Sequence, residues 1–317
     1  MKIPNQTELH RHIDVSLRIE TAWELAKKTG MIGESTSLQS FRDKIIISKP
    51  LGSLGEVLST FELFQGLFSD ESVFERVGFE ASEDAYREGT RFMEFRFSPA
   101  FATAKSKIDW TKALGGFHQG IQKFSKAHPD FKAGLILISS REFGSEAAEK
   151  TIDLAIANRD KIIGVDLAGD ETADASRAYE APFARAKKAG IPITIHAGEG
   201  TTADAVWYAI ENLGARRIGH GIASIQDPKL VEYLRKHSIC LEICPISNWL
   251  TQSAKTWKDQ PLPALLRAGV PVSINTDDPG FFGNTLQDEI RICQKELEMT
   301  QEEINACFDH AKRSSFL

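Results

Sequence analysis

Two histidines near the start of the chain have the spacing of paired metal ligands. His10 and His12 flank a single arginine and close a short apolar run. In an extended strand, side chains two residues apart point to the same face, so both imidazoles can bind one ion. Further apolar runs downstream end at His196, at His220 and at Asp277-Asp278. Polar residues at the ends of several strands indicate one shared active-site face.

Three imidazoles and one carboxylate suit a borderline-soft cation such as Zn²⁺, with one position left for water. The predicted ligands are His10, His12, His196 and Asp277. A metal ion of this kind makes its bound water acidic enough to ionise near neutral pH. Glu199 has no obvious structural role in the small-residue loop 197–200, and we expect it to transfer protons.

Each of these residues also has a simpler interpretation. A single histidine at a strand end is more often a hydrogen-bonded core residue than a ligand. Asp277-Asp278-Pro279 alone fits a turn or a helix cap, and His220 between two glycines fits a local backbone contact. Their joint placement favours a metal site. No chemistry is assigned to the histidines within helical patterns, which are His118, His128, His237 and His310.

Eight apolar runs suited to buried parallel strands alternate with stretches of helical periodicity, and this order predicts a (β/α)8 TIM barrel. Closed barrels reach this length as one unit, so residues 1–317 are predicted to form a single domain. Helix 202–213 is predicted to end at Gly214, and Asp227-Pro228 to begin the next helix. The predicted strands lie near residues 8–13, 91–97, 132–139, 162–167, 191–195, 216–219, 239–243 and 270–276.

A helical insertion is predicted between the first and second strands, at residues 20–90. Its most apolar helix is expected to run from Leu54 through Phe68. Packing against the barrel is the favoured interpretation for most of its apolar face. A helix inserted directly after the His10/His12 strand is, however, also placed to cover the active site. The apolar face comprises Leu54, Val57, Leu58, Phe61, Phe64 and Phe68.

Composition excludes several classes of function. Apolar residues make up 42% of the chain and charged residues 26%, close to ordinary globular usage. A net charge of −6 argues against a nucleic-acid partner, because affinity for phosphates depends on clustered Lys and Arg. No run approaches the roughly 20 apolar residues that span a bilayer, and the start does not resemble a signal peptide. A soluble cytoplasmic protein is predicted, with its oligomeric state left open.

Three other sets of residues receive structural interpretations. The four cysteines are too few and too scattered for a disulfide framework and are predicted to be buried thiols. Arg216-Arg217 is interpreted as a solvated helix end. On the second strand Glu94, Arg96 and Ser98 share one face, and we expect them to point into the barrel as a supporting ion-pair network.

Six longer motifs occur along the chain. They are Glu8-Leu9-His10-Arg11-His12-Ile13-Asp14, Arg96-Phe97-Ser98-Pro99, Asp166-Leu167-Ala168-Gly169-Asp170-Glu171, His196-Ala197-Gly198-Glu199, Arg217-Ile218-Gly219-His220-Gly221 and Ser273-Ile274-Asn275-Thr276-Asp277-Asp278-Pro279. Through these motifs the chain resembles the adenosine deaminase family of the metal-dependent amidohydrolases over essentially its whole length. The motifs occur in the family's order, which makes a chance match implausible.

The resemblance implies a zinc aminohydrolase that replaces the 6-amino group of a purine with oxygen. One zinc per subunit is held by the four predicted ligands. The resemblance further implies that Glu199 delivers a proton to purine N1 and that His220 orients and polarises the attacking water. Protonation of N1 during attack avoids negative charge on the ring. The implied substrate contacts are His12, Asp14, Asp278 to N7, and the backbone N–H of Gly169 to N3.

Asp14 bears on the choice of substrate. Family members that act on nucleosides have Asp at this place, where it accepts a hydrogen bond from the ribose 5′-hydroxyl, whereas free-adenine members tend to have Glu. Adenosine or 2′-deoxyadenosine is therefore favoured, and a carboxylate here repels a 5′-phosphate. The next residue is usually Gly in the family and is Val15 here. Because a β-branched residue does not easily adopt a positive φ, we expect a differently shaped ribose end.

Alternative functions stay open from the sequence. The same chemistry on adenine, aminodeoxyfutalosine or an N6-substituted AMP is the nearest. Metal-dependent amide or phosphoester hydrolysis on the same barrel is more distant. A barrel used for ligand binding without catalysis is disfavoured, because the full set of ligands and the proton donor Glu199 are present.

Overall fold

Eight parallel strands are found within the described residues of the computed structural model, which are 6–52, 62–171 and 176–317. They form two four-stranded sheets, ordered β1-β2-β3-β4 and β5-β6-β7-β8. The strands are β1 (Gln6–His12), β2 (Thr90–Phe97), β3 (Lys132–Ser140), β4 (Gly164–Ala168), β5 (Thr194–Ala197), β6 (Arg217–His220), β7 (Cys240–Ile243) and β8 (Val272–Ile274).

Single bridges close the two sheets into a barrel. Val165 pairs with Ile193 at one seam, and Arg11 pairs with Asp277 at the other. At the second seam the backbone N–H of Asp277 donates to the carbonyl of His10 at 3.1 Å, and the N–H of His12 donates to the carbonyl of Asp277 at 2.9 Å. The predicted (β/α)8 barrel is confirmed, and its closure brings three predicted ligands together.

Helices follow the strands and pack outside them. Several begin at an Asp whose side chain accepts a backbone N–H of the first turn, as Asp227 does from Lys229 at 2.8 Å. The helices are α1 (Ile19–Lys28), α2 (Leu38–Ile45), α3 (Glu62–Gln65), α4 (Glu71–Glu88), α5 (Pro99–Ala102), α6 (Trp110–Ala127), α7 (Gly144–Ala157), α8 (Glu180–Lys188), α9 (Ala203–Glu211), α10 (Pro228–His237), α11 (Pro245–Leu250), α12 (Leu262–Arg267), α13 (Pro279–Phe282), α14 (Leu286–Lys295) and α15 (Gln301–Ser314).

Predicted element boundaries differ from the structure mainly where apolar runs extend into loops. β5 and β8 begin two or three residues later than predicted, because Ile191 and Val270 are buried before pairing starts. Helix α9 lies within the predicted range 202–213, and the predicted start of α10 is confirmed, with Gly214 in a left-handed conformation at φ 75° and Pro228 in the first turn of α10.

Helices α1 to α4 lie between β1 and β2. Much of the predicted Leu54–Phe68 helix, including four members of its apolar face, falls outside the described residues. The last two members are buried: Phe64 lies 4.1 Å from Phe281, centroid to centroid, and Phe68 lies 4.7 Å from Phe74. Because Phe281 follows Asp278 closely in the chain, α3 packs beside the predicted active-site face.

Two interpretations of polar residues change with the structure. Arg217 is not at a solvated helix end: it lies inside the barrel on β6, where it pairs with Glu94 and Glu242 at 2.6 and 2.7 Å. Glu94 and Arg96 point inward as predicted, but Ser98 takes no part in the ion pairs and instead caps α5 through its hydroxyl.

The remaining structural expectations concern the thiols and the membrane. All four cysteines are buried and free, as predicted. Among the described residues, no helix combines the length and the apolar character that crossing a membrane requires.

Candidate active site

Four imidazoles and one carboxylate converge where β1, β5, β6 and β8 end. The ring of His10 lies 4.5 Å from that of His196 and 5.3 Å from that of His12, centroid to centroid. Ligand atoms of His10, His196, His220 and Asp277 all lie within 4.8 Å of one another, and His12 forms an overlapping group with Asp277 and Asp278. The cluster therefore contains every predicted ligand, together with His220.

Close packing of the imidazole rings depends on Gly219, which has no side chain. A Cβ there would lie 3.1 Å from the His196 ring and 3.2 Å from Cε1 of His10. Both contacts are tighter than ordinary van der Waals packing. The glycine before His220 therefore makes room for two ligands on neighbouring strands.

The contacts around Asp277 call for a cation. Its Oδ1 lies 3.2 Å from Nε2 of His10 and 3.2 Å from Nε2 of His12. Burial lowers the pKa of His12 to about 4, so its imidazole is neutral at pH 7. The Nε2 atom of His10 is buried without a hydrogen-bond partner among the described residues. A metal ion between these atoms would bind the imidazole lone pairs and the carboxylate oxygen together. This set of residues therefore fits a metal site.

Buried carboxylates orient two of the imidazoles. Nδ1 of His10 lies 2.9 Å from Glu242, and Nδ1 of His196 lies 2.9 Å from Asp166. Arg96 donates to both carboxylates, at 2.6 and 2.7 Å. An imidazole that donates through Nδ1 has its Nε2 lone pair free for a metal, the usual arrangement of metal-bound histidines. Glu242 was missed in the sequence, although a charged residue within a buried apolar strand is a usable signal.

His220 and Asp277 adopt backbone conformations that are uncommon for residues with side chains, at φ 55° and 65°. The amide of Asn248 lies 3.0 Å from Nδ1 of His220, which turns Nε2 toward Glu199 and Asp277 at 3.6 and 3.7 Å. Burial lowers the pKa of His220 well below its usual value, so the ring is neutral. Strained backbone at such a cluster is typical of functional sites.

Glu199 lies beside the cluster in the loop after β5. Burial, together with the negative charges of Asp277 and Glu171, raises the pKa of the Glu199 carboxyl well above its usual value. Glu171 accepts hydrogen bonds from the backbone N–H groups of Gly198 and Glu199, at 2.8 and 3.2 Å, and thereby holds the loop. The raised pKa favours the protonated carboxyl, which is the form that general-acid catalysis requires.

A cavity of about 510 Å³ opens next to the cluster. Its lining includes all four predicted substrate contacts, which are His12, Asp14, Gly169 and Asp278. Asp14 and Asp278 each have a buried Oδ1 without a hydrogen-bond partner among the described residues. Burial raises the pKa of Asp14 to about 7, and burial with the adjacent Asp277 raises the pKa of Asp278 well above its usual value. The cavity therefore offers polar groups that lack partners.

Backbone geometry at the cavity explains two further residues. Gly169 has φ 97°, a backbone conformation that residues with a side chain rarely adopt, and a Cβ there would also displace the carboxylate of Glu142. Val15 lies in the 3₁₀ turn Ile13–Val15 and is not among the residues with positive φ. This residue lines the cavity directly, and the differently shaped ribose end expected from Val15 stays a prediction.

A parallel barrel with a metal-type cluster and a buried acid at the carboxyl ends of its strands defines a metal-dependent barrel enzyme. The family model described as adenosine deaminase matches residues 5–317. The chain belongs to the adenosine deaminase family, which is a family of metal-dependent hydrolases.

Individual relatives agree with this assignment. The adenosine deaminase of Shewanella denitrificans is 36% identical over 290 residues, which cover 92% of this chain and 87% of the relative. The structure of adenine deaminase from Arthrobacter aurescens has a TM-score of 0.91 at 26% identity, covering 99% of this chain and 94% of that one. The N6-methyl-AMP deaminase of Arabidopsis thaliana has a TM-score of 0.84 at 26% identity, covering 100% and 93%.

Proposed function

We propose that this enzyme hydrolyses adenosine and 2′-deoxyadenosine to inosine and 2′-deoxyinosine with release of ammonia, using one zinc ion per subunit. One observation carries the proposal: the unpartnered buried oxygens of Asp14 and Asp278 line the same cavity, directly beside the histidine cluster. A purine nucleoside offers a partner for each, because its ribose has a 5′-hydroxyl and its ring has N7.

The proposed roles follow from the chemistry of the side chains. His10, His12, His196 and Asp277 would hold the zinc, which when bound supplies a Lewis acid that acidifies water. Glu199 in its protonated form delivers a proton to N1, which makes C6 more electrophilic.

His220 and the substrate contacts complete the assignment. Neutral His220 orients the attacking water through Nε2. A protonated Asp278 donates to N7, in line with its raised pKa, and the Gly169 N–H donates to N3. We further propose that residues 1–317 act as one barrel domain with the insertion at 20–90 as its lid, and that the substrate is a small purine rather than a nucleic acid.

The decisive experiment is a substrate panel with the purified enzyme: adenosine, 2′-deoxyadenosine, adenine, AMP, aminodeoxyfutalosine and N6-methyl-AMP. The two nucleosides should give the highest kcat/KM, and metal analysis should find zinc. Charge-assisted hydrogen bonds contribute roughly 1.5–3 kcal/mol, so Asp14→Ala should lower kcat/KM for adenosine about 10- to 150-fold. The matched control is 5′-deoxyadenosine, which lacks the hydroxyl. Its kcat/KM should be nearly the same with the wild-type enzyme and with Asp14→Ala. Equal losses on both nucleosides would refute the ribose contact.

An N6-substituted AMP is the second candidate, and one observation favours it. Lys105 lines the same cavity as Asp14 and supplies a positive charge suited to a 5′-phosphate. With its pKa raised to about 7, Asp14 also repels a phosphate less than a permanent carboxylate would. Higher kcat/KM for N6-methyl-AMP than for adenosine, lost in Lys105→Met, would establish this candidate instead.

A further inference from the structure

The two carboxyl oxygens of Glu199 have different surroundings. Oε1 accepts a hydrogen bond from the hydroxyl of Thr251 at 3.2 Å and has the hydroxyl of Ser253 at 3.5 Å. Oε2 instead lies 3.6 Å from Nε2 of His220, on the side of the metal cluster. Thr251 is buried and directly follows α11, the helix after β7, so its hydroxyl is held by the carboxyl end of the barrel.

The two hydroxyls beside Oε1 favour one arrangement of the acidic proton. A protonated carboxyl has one O–H, and its other oxygen can only accept. The Thr251 hydroxyl has a single hydrogen, which goes to Oε1. The Ser253 hydroxyl, 2.9 Å from Thr251 Oγ1, can then donate to the threonine oxygen. In this arrangement Oε1 is the accepting oxygen, which places the acidic proton on Oε2, the oxygen on the side of His220.

We infer that Thr251 is a positioning residue for the proton transfer: its hydroxyl directs the proton of Glu199 to the oxygen that faces the substrate. The inference rests on the proposed function. In the transfer, the O–H bond at Oε2 breaks, its electron pair stays on the carboxylate, and the lone pair of purine N1 forms the new N–H bond.

Thr251 also stabilises the Glu199 carboxylate that this proton transfer produces. A hydroxyl donates a stronger hydrogen bond to a carboxylate than to a neutral acid. The contact with Oε1 therefore strengthens as the proton leaves Oε2, and an interaction that strengthens toward the transition state raises kcat rather than substrate affinity. The loop itself does not depend on Thr251, because Glu171 holds the backbone of Gly198 and Glu199.

The test compares Thr251→Val with Thr251→Ser in the zinc-loaded enzyme, with adenosine as substrate. Valine keeps the shape and removes the hydroxyl, whereas serine keeps the hydroxyl. Thr251→Val should lower kcat about tenfold, the difference between a charge-assisted and a neutral hydrogen bond, with KM and zinc content unchanged. Its solvent deuterium isotope effect on kcat should also rise, because proton transfer becomes more rate-limiting. Thr251→Ser should stay within about twofold of wild type.

Several results would overturn the inference. They are equal losses in the valine and serine variants, a change confined to KM or zinc content, or an unchanged isotope effect. If Thr251→Val does not fold, Thr251→Ala carries the same expectations, with rescue by Thr251→Ser. A wild-type enzyme that does not deaminate adenosine would instead overturn the proposed function, and the inference with it.

Discussion

At the scale of single residues, the cluster places several buried imidazoles around one carboxylate. The neutral imidazole of His12 faces an oxygen of Asp277 at 3.2 Å. Asp277 keeps an ionised carboxyl there: burial by itself would raise its pKa, but the neighbouring His10 lowers the pKa well below the usual value. The left-handed backbone at Asp277 is a further cost of placing this carboxylate between the two histidines.

Replacement of Glu199 separates proton transfer from metal binding. Glu199→Gln keeps the size of the side chain and a hydrogen-bonding amide but removes the transferable proton. We expect zinc to stay bound and kcat for adenosine to fall by roughly 10²–10⁴, the usual contribution of a general acid.

Steady-state kinetics together with metal analysis test the role of Glu199. The exposed Glu211→Gln on α9 serves as the control and should retain full activity. Turnover of Glu199→Gln within a few-fold of wild type would rule out the proton-donor role.

At the scale of secondary-structure elements, the positions of strands along the chain were predictable where a strand is buried on both faces. Such strands are continuous apolar runs, and all eight were located to within a few residues. The histidines at their ends were recognised because the carboxyl ends of barrel strands form one face. Contacts that depend on the packing of distant loops were not predictable: nothing in the sequence near Thr251 indicates that it reaches Glu199.

The charged residues inside the barrel show the same limit of prediction from the sequence. Arg217 was misinterpreted because a charged residue beside Arg216 has the local pattern of a helix end, whereas its partners Glu94 and Glu242 lie on other strands. Pairing of this kind is decided by barrel closure, and neighbouring sequence carries no signal for it. Arg96, by contrast, was placed correctly because its strand alternates polar and apolar residues.

Arg96 connects β2 to the carboxylates that orient His10 and His196. Arg96→Met leaves Asp166 and Glu242 without this buried partner, and removal of one member of a buried ion pair costs roughly 3–5 kcal/mol. Zinc affinity should fall about 10- to 100-fold, which is the usual loss when groups that orient the metal ligands through hydrogen bonds are removed. Chemical denaturation and competition with a zinc chelator measure the two effects.

A surface ion pair provides the control for Arg96. Arg235→Met removes the exposed partner of Glu232 and should leave stability and zinc affinity essentially unchanged. Unaltered zinc affinity in a folded Arg96→Met protein would show that the carboxylates orient the imidazoles without Arg96.

At the scale of the whole molecule, the predicted metal site lies across the seam between the two sheets. His10 and His12 belong to the first sheet, and His196 and Asp277 to the strand units of the second. The seam itself is an isolated bridge with the two backbone hydrogen bonds at Asp277. A bound ion therefore connects parts of the barrel that few backbone contacts join.

The charged residues inside the barrel also indicate that a bound cation stabilises it. The network beneath the histidines contains Arg96 and Arg217 against four carboxylates, which are Glu94, Asp166, Glu242 and Asp277. The carboxylates of this network outnumber its two arginines by two. A divalent cation bound at the histidines would offset that excess of negative charge.

Removal of the metal should therefore destabilise the entire barrel rather than the active site alone. A ligand present at 100 to 1,000 times its Kd stabilises the native state by roughly 2.7–4.1 kcal/mol. For a domain of this size that free energy corresponds to a loss of about 4–6 °C in Tm on chelation. Differential scanning calorimetry of zinc-loaded and chelator-treated enzyme measures the loss, which added zinc should reverse. Asp277→Ala, which removes a ligand, should already melt at the lower temperature and respond little to the chelator. An unchanged Tm after verified zinc removal would mean that the barrel closes without the ion.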